Sequence, residues 1–182
     1  MVLQALRESG LATDRDESHL EFQRLYRATW PEVFKYAWLL LRHREDAEDV
    51  ASEAYRRALE AWHAGRRPKG EALPWLFTIA RRVAIDRHRR RRLIGWLTLD
   101  GAADSPDRAS ELAFHSSELW IWFEDLCRVL PAAQREALLL RFQFDLPDAE
   151  AARIMGRTEG NVRSLVSRGL ATLKARPEVM QR

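Results

Sequence analysis

Between Leu146 and Lys174 the chain reads LPDAEAARIMGRTEGNVRSLVSRGLATLK, and this stretch limits the possible folds more than any other. Pro147 and Asp148 suit the opening of a helix. Gly156 stands just past Ile154 and Met155, where a left-handed residue ends a helix without steric cost. Thr158 is placed to cap a second helix. In that helix Val162, Leu165, Val166, Gly169, Leu170 and Leu173 recur at spacings of three and four, which predicts one inward stripe. The opposite face carries Asn161, Arg163, Ser164, Ser167 and Arg168. Two short helices joined by a tight turn, the second showing basic, amide and hydroxyl groups outward, form a helix-turn-helix suited to a major groove.

A helical hairpin with a merely solvated polar face would share this pattern, and the charge distribution argues against it. Residues 118–152 hold three arginines against seven carboxylates, a net charge of −4, whereas residues 153–176 hold six basic residues against Glu159 alone, a net of +5. Such polarity draws phosphate to the reading-helix end.

The 182 residues allow one medium domain or two small ones, and a net charge of only +3 means that any nucleic-acid role rests on clustering. The single cysteine, Cys127, excludes an internal disulfide and disfavours a cysteine-based zinc site; its flanks, Leu126 and Val129, read as core. No apolar run approaches the roughly 20 residues that cross a bilayer, and the start lacks the basic flank and long apolar centre of a signal peptide. A cytoplasmic protein is expected.

Composition shifts at residues 95–117, where small, polar and turn-forming residues replace apolar periodicity, as in a flexible linker. It separates helical regions at 18–94 and 118–176, with residues 1–17 expected to be mobile and 177–182 a short tail. Neither region shows strand alternation, so the fold class is all-α, two small helical domains.

In the first region, residues 20–42 are helical, with a break or kink expected at Pro31. The next helix runs from Glu45 to Ala64. Ala47, Val50, Ala51, Ala54, Ala58 and Trp62 mark its inner face, and Asp46, Asp49, Glu53 and Glu60 an outward acidic stripe. That stripe fits a protein partner better than DNA, although a solvated face with a local Glu53–Arg57 pair is the commoner role for such residues. A basic loop at 65–72, GRRPKGEA, precedes a helix at 74–93. Pro74 suits its first turn, and Leu76, Phe77, Ala80, Val83 and Ala84 form its buried stripe. Residues 81–92 carry seven arginines against Asp86, a net of +6. Arginines beside an aromatic such as Trp75 can follow a phosphate backbone and stack on unpaired bases.

The order of DAEDVASEAYRRALEAW at 46–62, PWLFTIARRVAIDRHRRRR at 74–92 and LPAAQREALLLRF at 130–142 followed by the helix-turn-helix resembles the extracytoplasmic-function sigma factors of bacterial RNA polymerase. The resemblance covers about residues 20–94 and 118–174. It implies a sigma-2-like helical bundle and a sigma-4-like helix-turn-helix joined by the linker, which would run through the polymerase channel. Core RNA polymerase is the implied partner, through the clamp coiled coil of β′ and through β, together with promoter DNA and an anti-sigma factor. No cofactor, metal or membrane insertion is implied, and the chain would be a non-catalytic initiation subunit.

By the same resemblance Asp46, Asp49, Ser52 and Glu53 would dock on the polymerase, with Ser52 where the family usually has glutamine. Arg66, Arg67, Lys69, Trp75, Thr78, Arg81, Arg82 and Arg89 would capture and open the minus-10 element, Arg82 standing where asparagine is common. Thr158, Asn161, Arg163, Ser164, Ser167 and Arg168 would read minus-35. Leu165 replaces a frequent arginine and falls on the apolar stripe, while Asn161 stands where threonine is frequent. A stand-alone helix-turn-helix regulator is the alternative, opposed by the acidic helix ahead of the arginine-rich one. An enzyme finds no support, because His19, His43, His63, His88 and His115 are scattered.

Overall fold

The computed structural model describes the backbone of residues 2–95 and 129–175, with side chains at 17–87, 89 and 129–175. Among the described residues the regular structure is all helical: α1 (Val2–Leu41), α2 (Arg44–His63), α3 (Ala72–Gly95), α4 (Ala132–Leu138) running into a π-helical turn (Leu139–Gln143), α5 (Asp148–Met155) and α6 (Glu159–Lys174). The expected linker at 95–117 apart from Gly95, residues 118–128 with Cys127, and the tail lie outside the described residues.

One expectation fails at α1: the helix, which runs from Val2 to Leu41, continues through Pro31 without a break. Apolar burial on both sides of Pro31 accounts for the continuity. Phe22 precedes it and Val33, Phe34, Tyr36, Ala37, Trp38 and Leu39 follow it in the core, so packing outweighs one lost backbone hydrogen bond.

Helices α1, α2 and α3 pack mutually. Ala47, Val50, Ala51, Ala54 and Ala58 are fully buried, and these small residues let α2 approach α1 closely. Its open end is closed by His43, whose Nδ1 accepts the Asp46 backbone N–H at 3.3 Å. The two-residue turn before α2 holds Arg42 at φ 57°, a left-handed conformation unusual for a side chain other than glycine or asparagine.

Helices α4, α5 and α6 form a second packed group. Gly156 ends α5 at φ 62°, ψ 43°, with its own N–H and that of Arg157 (2.9 Å) returning to the Arg153 and Ala152 carbonyls. This is the Schellman arrangement that the glycine permits. Thr158 then caps α6, its hydroxyl accepting the Asn161 N–H at 3.2 Å.

The two groups touch. α3 packs on α5 and α1 on α4, and the buried side chains form one connected cluster.

Candidate functional site

The acidic helix is more heavily paired than its stripe predicts. Asp49 is exposed but 2.9 Å from Arg87 of α3. Glu53 receives Arg56 in a two-pronged contact and Arg57, each at 2.7 Å. Those hydrogen bonds, Arg56 first, hold the Glu53 carboxyl down at about 2, so it stays charged at any physiological pH. Ser52 is exposed beside them. Asp46 departs from the expectation: it is 3% exposed, lies 2.6 Å from Arg87 and does not belong to the outward stripe. Arg87 reaches across from α3 and draws that carboxylate inward, because a buried charge needs a partner.

The basic loop and α3 divide by role. Arg66 and Lys69 are exposed, and Arg82 and Arg89 project from α3 to solvent. Arg67 instead lies over the Trp62 ring at 4.5 Å and binds Glu21 and Ser18, which ties the loop to α1. Trp75 is half-buried, and Thr78 returns its hydroxyl to the Pro74 carbonyl. Arg81 does not face outward. Its Nε lies 2.7 Å from Glu136 of α4.

On α6, Thr158, Arg163, Ser164, Ser167 and Arg168 are exposed and Asn161 is half-buried, so one face presents the whole expected set. Arg163 lies 3.6 Å from both Asp148 and Glu159, ion pairs near the outer limit of contact on an exposed side chain. Val162, Leu165 and Leu173 are buried, as the stripe predicts. Leu170 is not; it is 39% exposed, because α6 meets α4 through Gly169, which leaves the neighbouring position uncovered. Sequence reasoning also missed Arg141, which binds the Leu146 carbonyl and Asp148 (2.8 Å) and so pins the start of the helix-turn-helix. Its partners lie in the turn and at the start of the next helix, so no helical spacing signalled it.

Among the described residues no helix is long and apolar enough to cross a membrane, and no three His, Cys, Asp or Glu residues gather as a metal site. An acidic helix, a basic loop and helix, and a helix-turn-helix with an outward basic and polar face together define an all-helical protein of helix-turn-helix class with charge divided between its elements. The models for sigma-70 region 2 and sigma-70 region 4 match residues 25–94 and 121–173. SigC of Mycobacterium tuberculosis, an ECF RNA polymerase sigma factor, is 33% identical over 160 residues, covering 84% of this chain and 80% of that protein. SigX of Bacillus subtilis is 29% identical, covering 88% and 85%. BldN of Streptomyces coelicolor is 31% identical over 84% of this chain, which spans only 58% of BldN. The sigma factor RpoE of Bartonella quintana, solved with the anti-sigma factor NepR, shares the fold at TM-score 0.68 and 24% identity, covering 88% of this chain and 97% of that one.

The chain therefore belongs to the extracytoplasmic-function RNA polymerase sigma factors, the initiation subunits that give transcription its promoter specificity. A stand-alone helix-turn-helix regulator is not favoured.

Proposed function

We propose that residues 18–94 and 118–176 serve as separate binding modules, sigma-2-like and sigma-4-like, joined by the linker at 95–117, in a cytoplasmic, non-catalytic subunit. Asp49, Ser52 and Glu53 form the face offered to the β′ clamp coiled coil, and Asp46 supports it from below through Arg87. Arg66, Lys69, Trp75, Thr78, Arg82 and Arg89 engage the minus-10 element, with Arg67 anchoring the loop and Arg81 joining when released from Glu136. Thr158, Asn161, Arg163, Ser164, Ser167 and Arg168 engage minus-35. Opening is driven by binding: unpaired bases stacked on Trp75 and phosphates held by arginines offset the cost of unpairing. An anti-sigma factor is a further partner, as for RpoE with NepR.

The observation that carries this reading is the separation of charge by element, with the carboxylates of α2 set apart from the exposed Arg66, Lys69, Arg82 and Arg89 of the 65–72 loop and α3. The test reverses Asp49 and Glu53 to lysine and measures co-purification with core polymerase. Assembly should fall while circular dichroism is unchanged, since exposed pairs contribute little to the fold. Parent-level assembly would show that the docking face lies elsewhere.

A further inference from the structure

Arg157 stands in the turn of the helix-turn-helix and has no part in the function assigned above. Its backbone is fixed: its N–H returns to the Ala152 carbonyl at 2.9 Å, next to Gly156 at φ 62°. Asn161, one helical turn further on, is fixed as well, its own N–H donated to the Thr158 hydroxyl at 3.2 Å. Between these anchored residues the side chains meet. Arg157 Nη1 donates to Asn161 Oδ1 at 3.3 Å, with Arg157 exposed and Asn161 half-buried.

The pair decides which end of the amide is left for a ligand. A guanidinium carries donors only, so the amide atom that faces it is the oxygen, and the Nδ2 amino group remains. An asparagine with both ends available pairs with adenine, accepting from N6 and donating to N7. With its oxygen engaged by a cation, Asn161 offers a major groove donors alone. Guanine shows two acceptors there, N7 and O6, whereas adenine brings its N6 amino group against an oxygen that already holds a donor. Asn161 lies in the first turn of α6, the part of a reading helix that reaches base edges.

We propose that Arg157 sets the base preference of Asn161, making it a donor-only reader that selects guanine over adenine at one minus-35 position. Arg157 acts through Asn161 and is a positioning residue. The proposal rests on the minus-35 role assigned above to Asn161, and adds to it a base and the residue that chooses it. An exposed hydrogen bond of this length contributes little to the fold, so its loss is read in the base profile rather than in stability.

The test uses holoenzyme assembled from core polymerase and the full chain, selecting from a promoter duplex randomised across minus-35, with the bound and input pools sequenced. In the parent one position should favour guanine over adenine, and Asn161→Ala should lose that preference. Arg157→Ala releases the oxygen, so the guanine-to-adenine ratio at that position should fall by about fivefold, the lower end of what one base contact discriminates. Urea unfolding of Arg157→Ala should stay near the parent. Arg157→Lys, again a donor without acceptors, should keep most of the preference. Arg157→Ala added to Asn161→Ala should change the profile no further, because the effect passes through Asn161. A parent that favours adenine at the position Asn161 controls would overturn the proposal. So would an Arg157→Ala chain with the parent's base profile and a salt slope lower by about one unit, which would make Arg157 a phosphate contact. An unchanged profile in Asn161→Ala would instead withdraw Asn161 from the minus-35 role on which the proposal rests.

Discussion

Gly169 lies inside α6, where that helix packs on Leu138 of α4. A Cβ placed there would stand 2.8 Å from Leu138 Cδ1 and 3.3 Å from its Cγ, and Leu138 is only 3% exposed. Two effects oppose each other in Gly169→Ala. Alanine improves helix propensity by about 1 kcal/mol, whereas forcing a methyl into a packed contact costs roughly 1–3 kcal/mol. The contact wins or draws, giving a net loss of about 0–2 kcal/mol. Gly169→Val should lose more, since it adds bulk without the full propensity gain. Gly160 is the internal control: it lies in the first turn of α6 with nothing near its would-be Cβ, so Gly160→Ala should gain as much as about 1 kcal/mol. Urea unfolding of the two alanine variants measures the difference directly. A Gly169→Ala chain stabilised as much as Gly160→Ala would refute the close packing of α6 on α4.

Thr158→Ala should cost about 1 kcal/mol of stability and weaken minus-35 duplex binding, read by unfolding and by anisotropy, because it removes the cap on the Asn161 N–H. Alanine at Arg163 or Arg168 should separate two roles: a base contact loses preference at one position, by about 1–3 kcal/mol, and a phosphate contact lowers the salt slope by about one unit. Trp75→Ala with Arg82→Ala should reduce permanganate reactivity of promoter thymines more than closed-complex binding. In Glu53→Gln the acid limb of the stability curve should flatten. The folded Glu53 carboxyl is depressed from 4.5 to about 2, so its contribution is complete above the unfolded value and is lost as pH falls through that window.

The helix-turn-helix was legible because its punctuation is local. Gly156, Thr158 and the spacing from Val162 to Leu173 act within a few residues of one another, and each is found in its predicted place except Leu170. Asp46 misled because it lies where the outward stripe meets the apolar face, and its partner, Arg87, is 41 residues away. Likewise Pro31 is a strong local signal for a break, overruled by core burial that only the assembled bundle supplies. Glu136 read as one more acid of the second region. Its pairing with Tyr36, 100 residues away, and with Arg81, 55 away, has no periodicity to reveal it. The proposed roles of the exposed cations were legible only through the resemblance, since charge alone attracts phosphate without specifying which strand or base.

The most direct test of the central claim is run-off transcription with purified core polymerase and this chain on a genomic library. The account predicts new transcripts whose start sites share paired upstream elements at minus-35 and minus-10, and their loss when Asp49 and Glu53 are both lysine. A chain that binds particular DNA sequences alone yet adds no start site with core polymerase would contradict it.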